Sequence, residues 1–243
     1  FKNDEAHARE VLAITEDDID KTINEIKASA TQTKEPLFNK KFYKPLLLAF
    51  LLATFNQLSG INAIIYFAPR VFEMAGLAKA SAFLGTVGIG VVNLAFTILG
   101  WSLIDKFGRR TLMFIGSIGY IISLSLIAWS FSTGASDYIV YYVFLFIAAH
   151  AVGQGAVIWV FISEIFPNSV RAAGTSFGSL THWAWAAVVA QVFPYFAGNV
   201  GGTTIFGFFA LMMVLQLTYV WRMMPETKGI TLEDMDKATV VLH

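Results

Sequence analysis

Polar side chains interrupt a long apolar stretch of the chain between residues 56 and 66. The amides of Asn56, Gln57 and Asn62 and the phenol of Tyr66 can donate and accept hydrogen bonds, which suits sugar hydroxyl groups. In a membrane such groups are costly unless they pair with one another or face water. The segment is therefore predicted to line a polar substrate site. The alternative is that these groups only join neighbouring helices.

A glycine lies at the centre of this segment. Gly60 can break a helix at mid-membrane depth, and discontinuous helices at the bilayer midplane commonly frame the substrate sites of transporters. Ser59, Asn62 and Tyr66 follow i, i+3, i+7 spacing, which predicts that they share one helix face.

The elements that position these residues are predicted to lie in lipid. Of the 243 residues, 56% are hydrophobic and only 14% are charged, whereas a soluble domain carries about 25% charged residues. Long apolar runs favour helices, because barrel strands would alternate over about 10 residues. A bilayer core about 30 Å thick needs about 20 apolar residues of helix. Six stretches meet that length, at Pro45–Phe67, Ala80–Ile104, Leu112–Phe131, Tyr138–Phe161, Gly174–Tyr195 and Thr204–Met224.

Basic residues predict the orientation of the spans. Phe1–Lys44 holds eight of the seventeen Lys and Arg residues, and only Arg70 and Lys79 fall on the opposite side. The positive-inside rule then places both termini in the cytoplasm of a multi-pass protein, in the plasma membrane or, in a bacterium, the inner membrane. We expect three units, namely linker helices at 1–44, a six-helix bundle at 45–224 and a cytoplasmic tail at 225–243.

The first forty residues combine charge with apolar residues near helical spacing. They predict two amphipathic cytoplasmic helices, Asp4–Ala13 and Glu16–Ala30, with Thr15 as the N-cap of the second. A solvated charged linker is the alternative. The chain opens with Phe1 and a polar segment rather than a signal peptide. We therefore expect a piece of a longer protein, with a cleaved product or a stand-alone half as alternatives.

At the polar segment the sequence resembles the sugar porter family of the major facilitator superfamily. The seventh helix of that family carries Gln-Gln-x-Ser-Gly-x-Asn-x-x-x-Tyr-Tyr. The chain departs at Asn56, which shortens the reach of the amide, and at Phe67, which loses a hydroxyl. The resemblance implies an all-α membrane protein, a six-transmembrane-helix bundle that forms the carboxy-terminal half of a twelve-helix major facilitator fold. The matching positions are Gln57, Ser59, Gly60, Asn62 and Tyr66.

Further matches in family order imply the rest of the sugar site. Asn93 stands where the family has an Asn that contacts sugar, with a helix-packing amide as the alternative. Trp159 matches the Trp that packs on the sugar ring. His182 and Trp183 stand where the family has an amide followed by Trp, and His182 can bind a hydroxyl or titrate. Gln154 is a further candidate ligand.

The fourth span departs from the family at its hinge. Many relatives place Gly-Pro before the conserved Trp, whereas here Ala156 replaces the proline. Any bend must therefore rest on Gly153 and Gly155. His150 lies one turn before Gln154 and is another candidate ligand, although a helix–helix contact is the interpretation that we favour for it.

Three charged motifs lie at the predicted cytoplasmic ends and resemble family motifs: Asp-x-x-Gly-Arg-Arg, Glu-x-x-Pro-x-x-x-Arg and Pro-Glu-Thr-Lys-Gly. In the family such a network is thought to hold the outward-open state. Exposed ion pairs contribute about 0–1 kcal/mol each, so we interpret the group as a latch that opens readily. The alternative is ordinary surface charge. The candidate gating residues are Asp105, Arg109, Arg110, Glu164, Arg171 and Glu226.

The resemblance implies transport of a hexose or pentose by alternating access, through proton symport or facilitated diffusion. A sugar sensor on the same fold that does not transport is the main alternative. The implied partners are the monosaccharide, the lipid bilayer, the amino-terminal six-helix half and, for symport, a proton. Zero net charge gives no reason to expect nucleic acid. The absence of Cys, of paired carboxylates in the spans and of a phosphate loop predicts no enzyme activity, cofactor or metal.

Overall fold

The computed structural model describes residues 5–14, 18–20, 22–24, 27, 35–135 and 137–229. Within these residues the regular structure is helical, without a β-strand. Part of the second predicted amphipathic helix and residues 230–243 of the predicted tail lie outside the described residues. The α-helices are α1 (Glu5–Leu12), α2 (Tyr43–Leu58), α3 (Ile61–Met74), α4 (Lys79–Phe107), α5 (Arg109–Thr133), α6 (Ile139–His150), α7 (Ala156–Glu164), α8 (Arg171–Asn199) and α9 (Gly202–Arg222).

All six predicted spans coincide with long helical stretches, and the predicted all-α membrane bundle is confirmed. The fifth stretch, α8, has 29 residues, but Thr181, His182 and Gln191 make it more polar than the others. A bundle whose most polar helix carries predicted ligands is consistent with that helix lining a polar cavity. Five stretches are both long and apolar enough to cross a membrane: Lys40–Met74, Lys79–Phe107, Arg109–Thr133, Ile139–Glu164 and Gly202–Arg222.

The predicted break in the first span is confirmed at Gly60, which has φ +82°. Two features favour glycine at this position. Residues other than glycine rarely adopt a positive φ, and a Cβ would lie 2.4 Å from the Phe209 ring. The Ser59 hydroxyl donates to the carbonyl of Asn56 at 2.6 Å and accepts the Ile61 N–H at 3.3 Å. The predicted shared face is wrong, because Ser59 belongs to the turn between α2 and α3.

A π-helical segment, Ala151–Gly155, joins α6 to α7 within the fourth span. It contains Gly153, whose missing side chain allows the backbone of α5 to approach at Gly116; a Cβ on Gly153 would lie 2.7 Å from the Gly116 Cα. Such wide turns frequently mark functional sites. The chain therefore has a local irregularity at the expected hinge although proline is absent there.

Polar side chains separate two apolar clusters along the bundle. On α5, Ser117 follows Met113 of one cluster, and on α9, Gln216 lies between Met213 of one cluster and Tyr219 of the other. These side chains form a polar layer across the middle of the bundle. We define the polar layer as Asn56, Gln57, Ser59, Ser117, His150, Gln154, His182 and Gln216.

Candidate functional site

A cavity of about 320 Å³ opens at the level of the polar layer. It is formed by α2, α3, α4, the end of α6, the π segment, α7 and α8. Seven of the nine predicted substrate ligands line it, which brings together residues that are up to 127 positions apart. They are Asn56, Gln57, Asn62, Asn93, Trp159, His182 and Trp183.

The amides on either side of the Gly60 break form one hydrogen-bonded cluster. Gln57 Nε2 donates to Asn56 Oδ1 at 3.1 Å and lies 3.1 Å from His182 Nε2. Asn62 Nδ2 donates back across the break to Gln57 Oε1 at 2.9 Å. Gln57 is fully buried, whereas Asn62 is half-buried and borders the cavity. These contacts orient the amides toward the cavity before any ligand binds.

Two tryptophans flank the imidazole of His182. Its ring centroid lies 4.8 Å from that of Trp159 and 5.1 Å from that of Trp183, at interplanar angles of 58° and 80°. Both indoles are exposed and line the cavity. An aromatic face suits the C–H face of a sugar ring, and the indole N–H can donate to a hydroxyl. Trp185, two residues further on α8, lies outside this cavity.

Two predicted ligands are not brought into the cavity. Tyr66 is 52% exposed and does not line it, while Gln154 is fully buried within the polar layer. Sequence reasoning missed Thr97 and favoured a helix contact over a ligand role for His150, yet both line the cavity. Thr97 lies one helical turn after Asn93, and that i, i+4 spacing was the available signal.

The described residues that line this cavity include no Asp, Glu, Lys or Arg. Its polar groups are amides, hydroxyls, imidazoles and indoles, which form hydrogen bonds without net charge. Such a surface suits an uncharged polar ligand of the size of a monosaccharide, whereas an anion or cation would lose its hydration without gaining a countercharge.

A larger groove of about 400 Å³ lies elsewhere, between α8 and α9. Val192, Phe196 and Phe208 are typical of its lining, which is almost wholly apolar. It offers little to a hydroxylated ligand, so the smaller, polar cavity is the better candidate site despite its lower volume.

An ion-pair centre joins the ends of α4, α5 and α7. Arg109 donates to Glu164 from Nη2 at 2.8 Å and from Nε at 3.2 Å, and its Nη1 donates to Asp105 at 3.1 Å. The Arg109 and Glu164 side chains are only 12% and 20% exposed, whereas Asp105 is 81% exposed. The interpretation of the group as exposed ion pairs fits Asp105 but not the Arg109–Glu164 pair, which is mostly shielded from water.

Glu226 acts as a helix cap. Its two carboxylate oxygens accept the backbone N–H groups of Arg109 at 2.9 Å and Arg110 at 3.0 Å, at the start of α5. A carboxylate is favourable there because the first N–H groups of a helix lack internal partners. Gly108 makes the approach possible, since a Cβ there would lie 2.5 Å from Glu226 Oε2. Thr227 Oγ1 then donates to Glu164 at 2.6 Å and ties the segment after α9 to the ion-pair centre.

The remaining two predicted gating cations bind backbone carbonyls. Arg110 Nη2 donates to the Trp221 carbonyl at 2.6 Å, near the end of α9. Arg171 Nε donates to the Phe166 carbonyl at 3.1 Å, in the turn before α8. These contacts fix helix ends, so the motif residues divide into an ion-pair group and a helix-end group.

The sequence and the bundle have counterparts among known proteins. The model of the family described as "Sugar (and other) transporter" matches residues 1–238. The chain is 36% identical over 216 residues to the arabinose-proton symporter of Bacillus subtilis, covering 88% of this chain and 47% of that protein. It is 34% identical over 244 residues to the glucose transporter GlcP of Staphylococcus epidermidis, covering 97% and 54%.

A solved structure of the major facilitator superfamily proton:xylose symporter XylE, bound to 6-bromo-6-deoxy-D-glucose, is similar with a TM-score of 0.80 and 29% identity. The match covers 90% of this chain and 48% of that one. The chain thus spans about half the length of the curated relatives it matches. The chain belongs to the sugar transporter family, with the fold of the major facilitator superfamily.

Proposed function

We propose that the protein carries a monosaccharide across a membrane by alternating access and that this chain supplies one wall of the sugar site. The observation that carries the proposal is the uncharged cavity in which Gln57, Asn62 and His182 meet beside Trp159 and Trp183. Hydrogen-bonding amides next to aromatic faces match the alternating polar and apolar faces of a sugar ring.

The substrate class follows from the relatives. Their names specify arabinose, glucose and xylose, so a pentose or hexose is the proposed substrate. Two of these relatives are named proton symporters, which favours symport over facilitated diffusion. Transport without chemical conversion of the sugar is the proposed activity.

The placement in the membrane is part of the proposal. We place both termini in the cytoplasm of a plasma or inner membrane, with residues 1–44 as linker, 45–224 as the bundle and 225–243 as the tail. An amino-terminal six-helix half would face the cavity and complete the sugar site. The ion-pair centre around Arg109 then lies on the cytoplasmic side. Its contacts between α4, α5, α7 and the segment after α9 support a latch that is closed in the outward-open state and opens in the inward state.

The first experiment is sugar binding to the full-length protein, followed by quenching of tryptophan fluorescence. Saturable quenching is expected with one or more of L-arabinose, D-xylose and D-glucose. Gln57→Ala is expected to lose at least about tenfold in affinity, because the substitution removes hydrogen bonds to the sugar and to its neighbours. Trp159→Ala tests the stacking surface, and Gln191→Ala, on the exposed surface of α8, is the matched control.

Uptake into proteoliposomes separates transport from sensing. A flat fluorescence response to all three sugars in a folded, monodisperse sample would overturn the sugar assignment. Saturable binding without any uptake would instead favour a sensor over a transporter. Uptake that collapses an imposed proton gradient would establish symport.

A further inference from the structure

His150 stands between the cavity and the interior of the bundle. Its Nδ1 lies 2.5 Å from the hydroxyl oxygen of the fully buried Tyr120. The opposite edge of the ring lies toward Gly155, another cavity residue, where a Cβ would come within 3.2 Å of His150 Nε2. In the part of the chain that the structure describes, Nε2 has no hydrogen-bond partner. His150 is therefore anchored through one nitrogen and presents the other toward the cavity.

A chain of hydrogen bonds continues from Tyr120 through the polar layer. Ser117 Oγ donates to the Met113 carbonyl at 2.6 Å, so its only proton is used. Gln216 must therefore present its NH₂ group to Ser117, at 2.8 Å, and its oxygen to Gln154. Gln154 donates its NH₂ group to that oxygen. The oxygen of Gln154 is then left for the Tyr120 hydroxyl, at 3.4 Å.

The direction of this chain determines which nitrogen of His150 carries the proton. Among the described residues, the Tyr120 hydroxyl is the only donor that faces the buried oxygen of Gln154. The arrangement that satisfies this oxygen has Tyr120 donating to it, so the Tyr120 oxygen accepts the 2.5 Å hydrogen bond from His150 and the proton lies on Nδ1. A neutral imidazole carries one N–H, so Nε2 is left with a lone pair. The partner of one ring nitrogen thus sets the chemistry of the other. The orientations of the Gln216 and Gln154 amides follow from the hydrogen bond between Ser117 and the Met113 carbonyl, because a carbonyl oxygen can only accept.

We propose that His150 is a sugar-binding residue whose Nε2 accepts a hydrogen bond from one sugar hydroxyl. Ser117, Gln216, Gln154 and Tyr120 are positioning residues that hold this tautomer. The inference rests on the proposed function and deepens it, because the substrate must then carry a hydroxyl that donates a hydrogen bond to His150 Nε2. A site with a buried acceptor discriminates against an analogue that lacks the matching donor.

The tautomer is tested first, without any sugar. The full-length protein is labelled with ¹⁵N-histidine, and the His150 signals are assigned by their loss in His150→Phe. The wild-type protein is expected to carry the proton on Nδ1. Tyr120→Phe is expected to release the constraint and increase the Nε2-protonated form, whereas Tyr138→Phe, which removes an exposed hydroxyl, is expected to leave the signals unchanged. A wild-type His150 protonated on Nε2 would overturn the inference.

Binding is tested with D-xylose and D-glucose and with their singly deoxygenated and singly fluorinated analogues. Neither hydrogen nor fluorine donates a hydrogen bond. At one ring position both replacements are therefore expected to weaken binding to the wild type by about tenfold. In His150→Phe the analogues at that position are expected to bind as well as the parent sugar. In Tyr120→Phe the fluorinated analogue is expected to regain affinity relative to the deoxygenated one, since fluorine can accept from a protonated Nε2.

The outcomes separate this inference from the proposed function. If wild type binds neither sugar, the proposed function is overturned and the assignment of His150 with it. If wild type binds a sugar but His150→Phe keeps the same discrimination at every ring position, only the assignment of His150 is overturned. His150→Gln, which keeps an acceptor oxygen, guards against a folding defect and is expected to retain part of the discrimination.

Discussion

The polar layer and the ion-pair centre hold helices together at two levels of the same bundle, and they do so with different chemistry. Gln57, Gln154 and Gln216 of the polar layer are fully buried and uncharged; Gln57 donates to Asn56, and Gln154 donates to Gln216. The ion-pair centre joins Arg109 to Glu164 at the helix ends, where part of each side chain remains exposed. The polar layer is therefore more buried and uncharged, whereas the ion-pair centre is less buried and charged.

The difference follows from the cost of desolvation. A neutral amide deep in a membrane bundle needs only partners for its hydrogen bonds, whereas a charge there must also recover its hydration energy. Amides can thus form a permanent framework around a cavity. Charges at helix ends keep part of their contact with water, so breaking an ion pair there costs less than breaking one in the interior of the bundle. The polar layer is suited to fixing the positions of ligand-binding side chains, whereas the ion-pair centre is suited to contacts that break and form again.

The largest effect is expected from removing one amide of the framework. Gln216→Leu leaves the NH₂ group of Gln154 buried without its acceptor, and we expect a loss of about 2 kcal/mol in the free energy of unfolding. The loss should not depend on salt, because no charge is involved. Thermal unfolding in detergent at two ionic strengths measures both.

Gln191→Leu makes the same chemical change at an exposed position of α8 and is the matched control. It is expected to leave the unfolding temperature unchanged or slightly higher. Equal losses from the two variants would contradict a special role for the polar layer.

Arg109→Ala tests the ion-pair centre. It leaves the half-buried Glu164 with Thr227 as its neutral partner, and we expect a loss of about 1.5 kcal/mol, between the values for exposed and buried pairs. Raising the salt concentration should reduce the difference from wild type, since part of the interaction is screened. Arg222→Ala, at an exposed arginine, is the control. A loss that does not change with salt would show that the two levels do not differ as argued.

Much of the architecture could be predicted because its signals are local. A run of apolar residues long enough to cross a bilayer identifies a span without knowledge of its neighbours. The break at Gly60 could be predicted for the same reason, as polar residues and a glycine are adjacent there. Seven of nine predicted ligands line one cavity. The family resemblance indicated which residues of different helices face the same site, and periodicity within one helix cannot indicate this.

The hydrogen-bond chain behind the cavity could not be predicted. Tyr120, Gln154 and Gln216 are single polar residues on three helices, 34 and 62 positions apart, and no pattern within one helix connects them. The capping contact of Glu226 could not be predicted for a related reason. Its sequence motif indicates charge, but only the fold shows that its carboxylate meets the backbone of α5 rather than an arginine side chain.

Removal of that cap is expected to have a smaller effect. Glu226→Gln keeps one oxygen for the Arg109 N–H but presents a donor to the Arg110 N–H and loses the favourable charge at the start of α5. We expect a loss of about 1 kcal/mol in the free energy of unfolding. Glu73→Gln, near the carboxyl end of α3, removes a charge from the unfavourable end of a helix and should cost nothing. A cost for Glu73→Gln as large as that for Glu226→Gln would refute the capping role.

The smallest effect is expected where ion pairs are fully exposed, at α1. Lys27 Nζ lies 2.7 Å from Glu5 Oε2, and Arg9 lies 3.2 Å from Oε1. The hydrogen bond from Lys27, followed by that from Arg9, holds the pKa of the Glu5 carboxyl below its ordinary value. Because the folded-state pKa is lowered, the contribution is present above the ordinary carboxyl range and is lost as pH falls through the lowered pKa.

Lys27→Gln is therefore expected to raise the pKa of Glu5 toward its ordinary value, and 0.5 M salt should produce a smaller shift in the same direction, since exposed pairs are screened. Carboxyl ¹³C chemical shifts across an acid titration measure the pKa directly. The unfolding temperature should hardly change, in contrast to Gln216→Leu. A Glu5 pKa that is unaffected by Lys27→Gln would show that this contact does not persist in solution. The decrease in stabilisation from buried amides to ion pairs would then be established only as far as the Arg109–Glu164 pair.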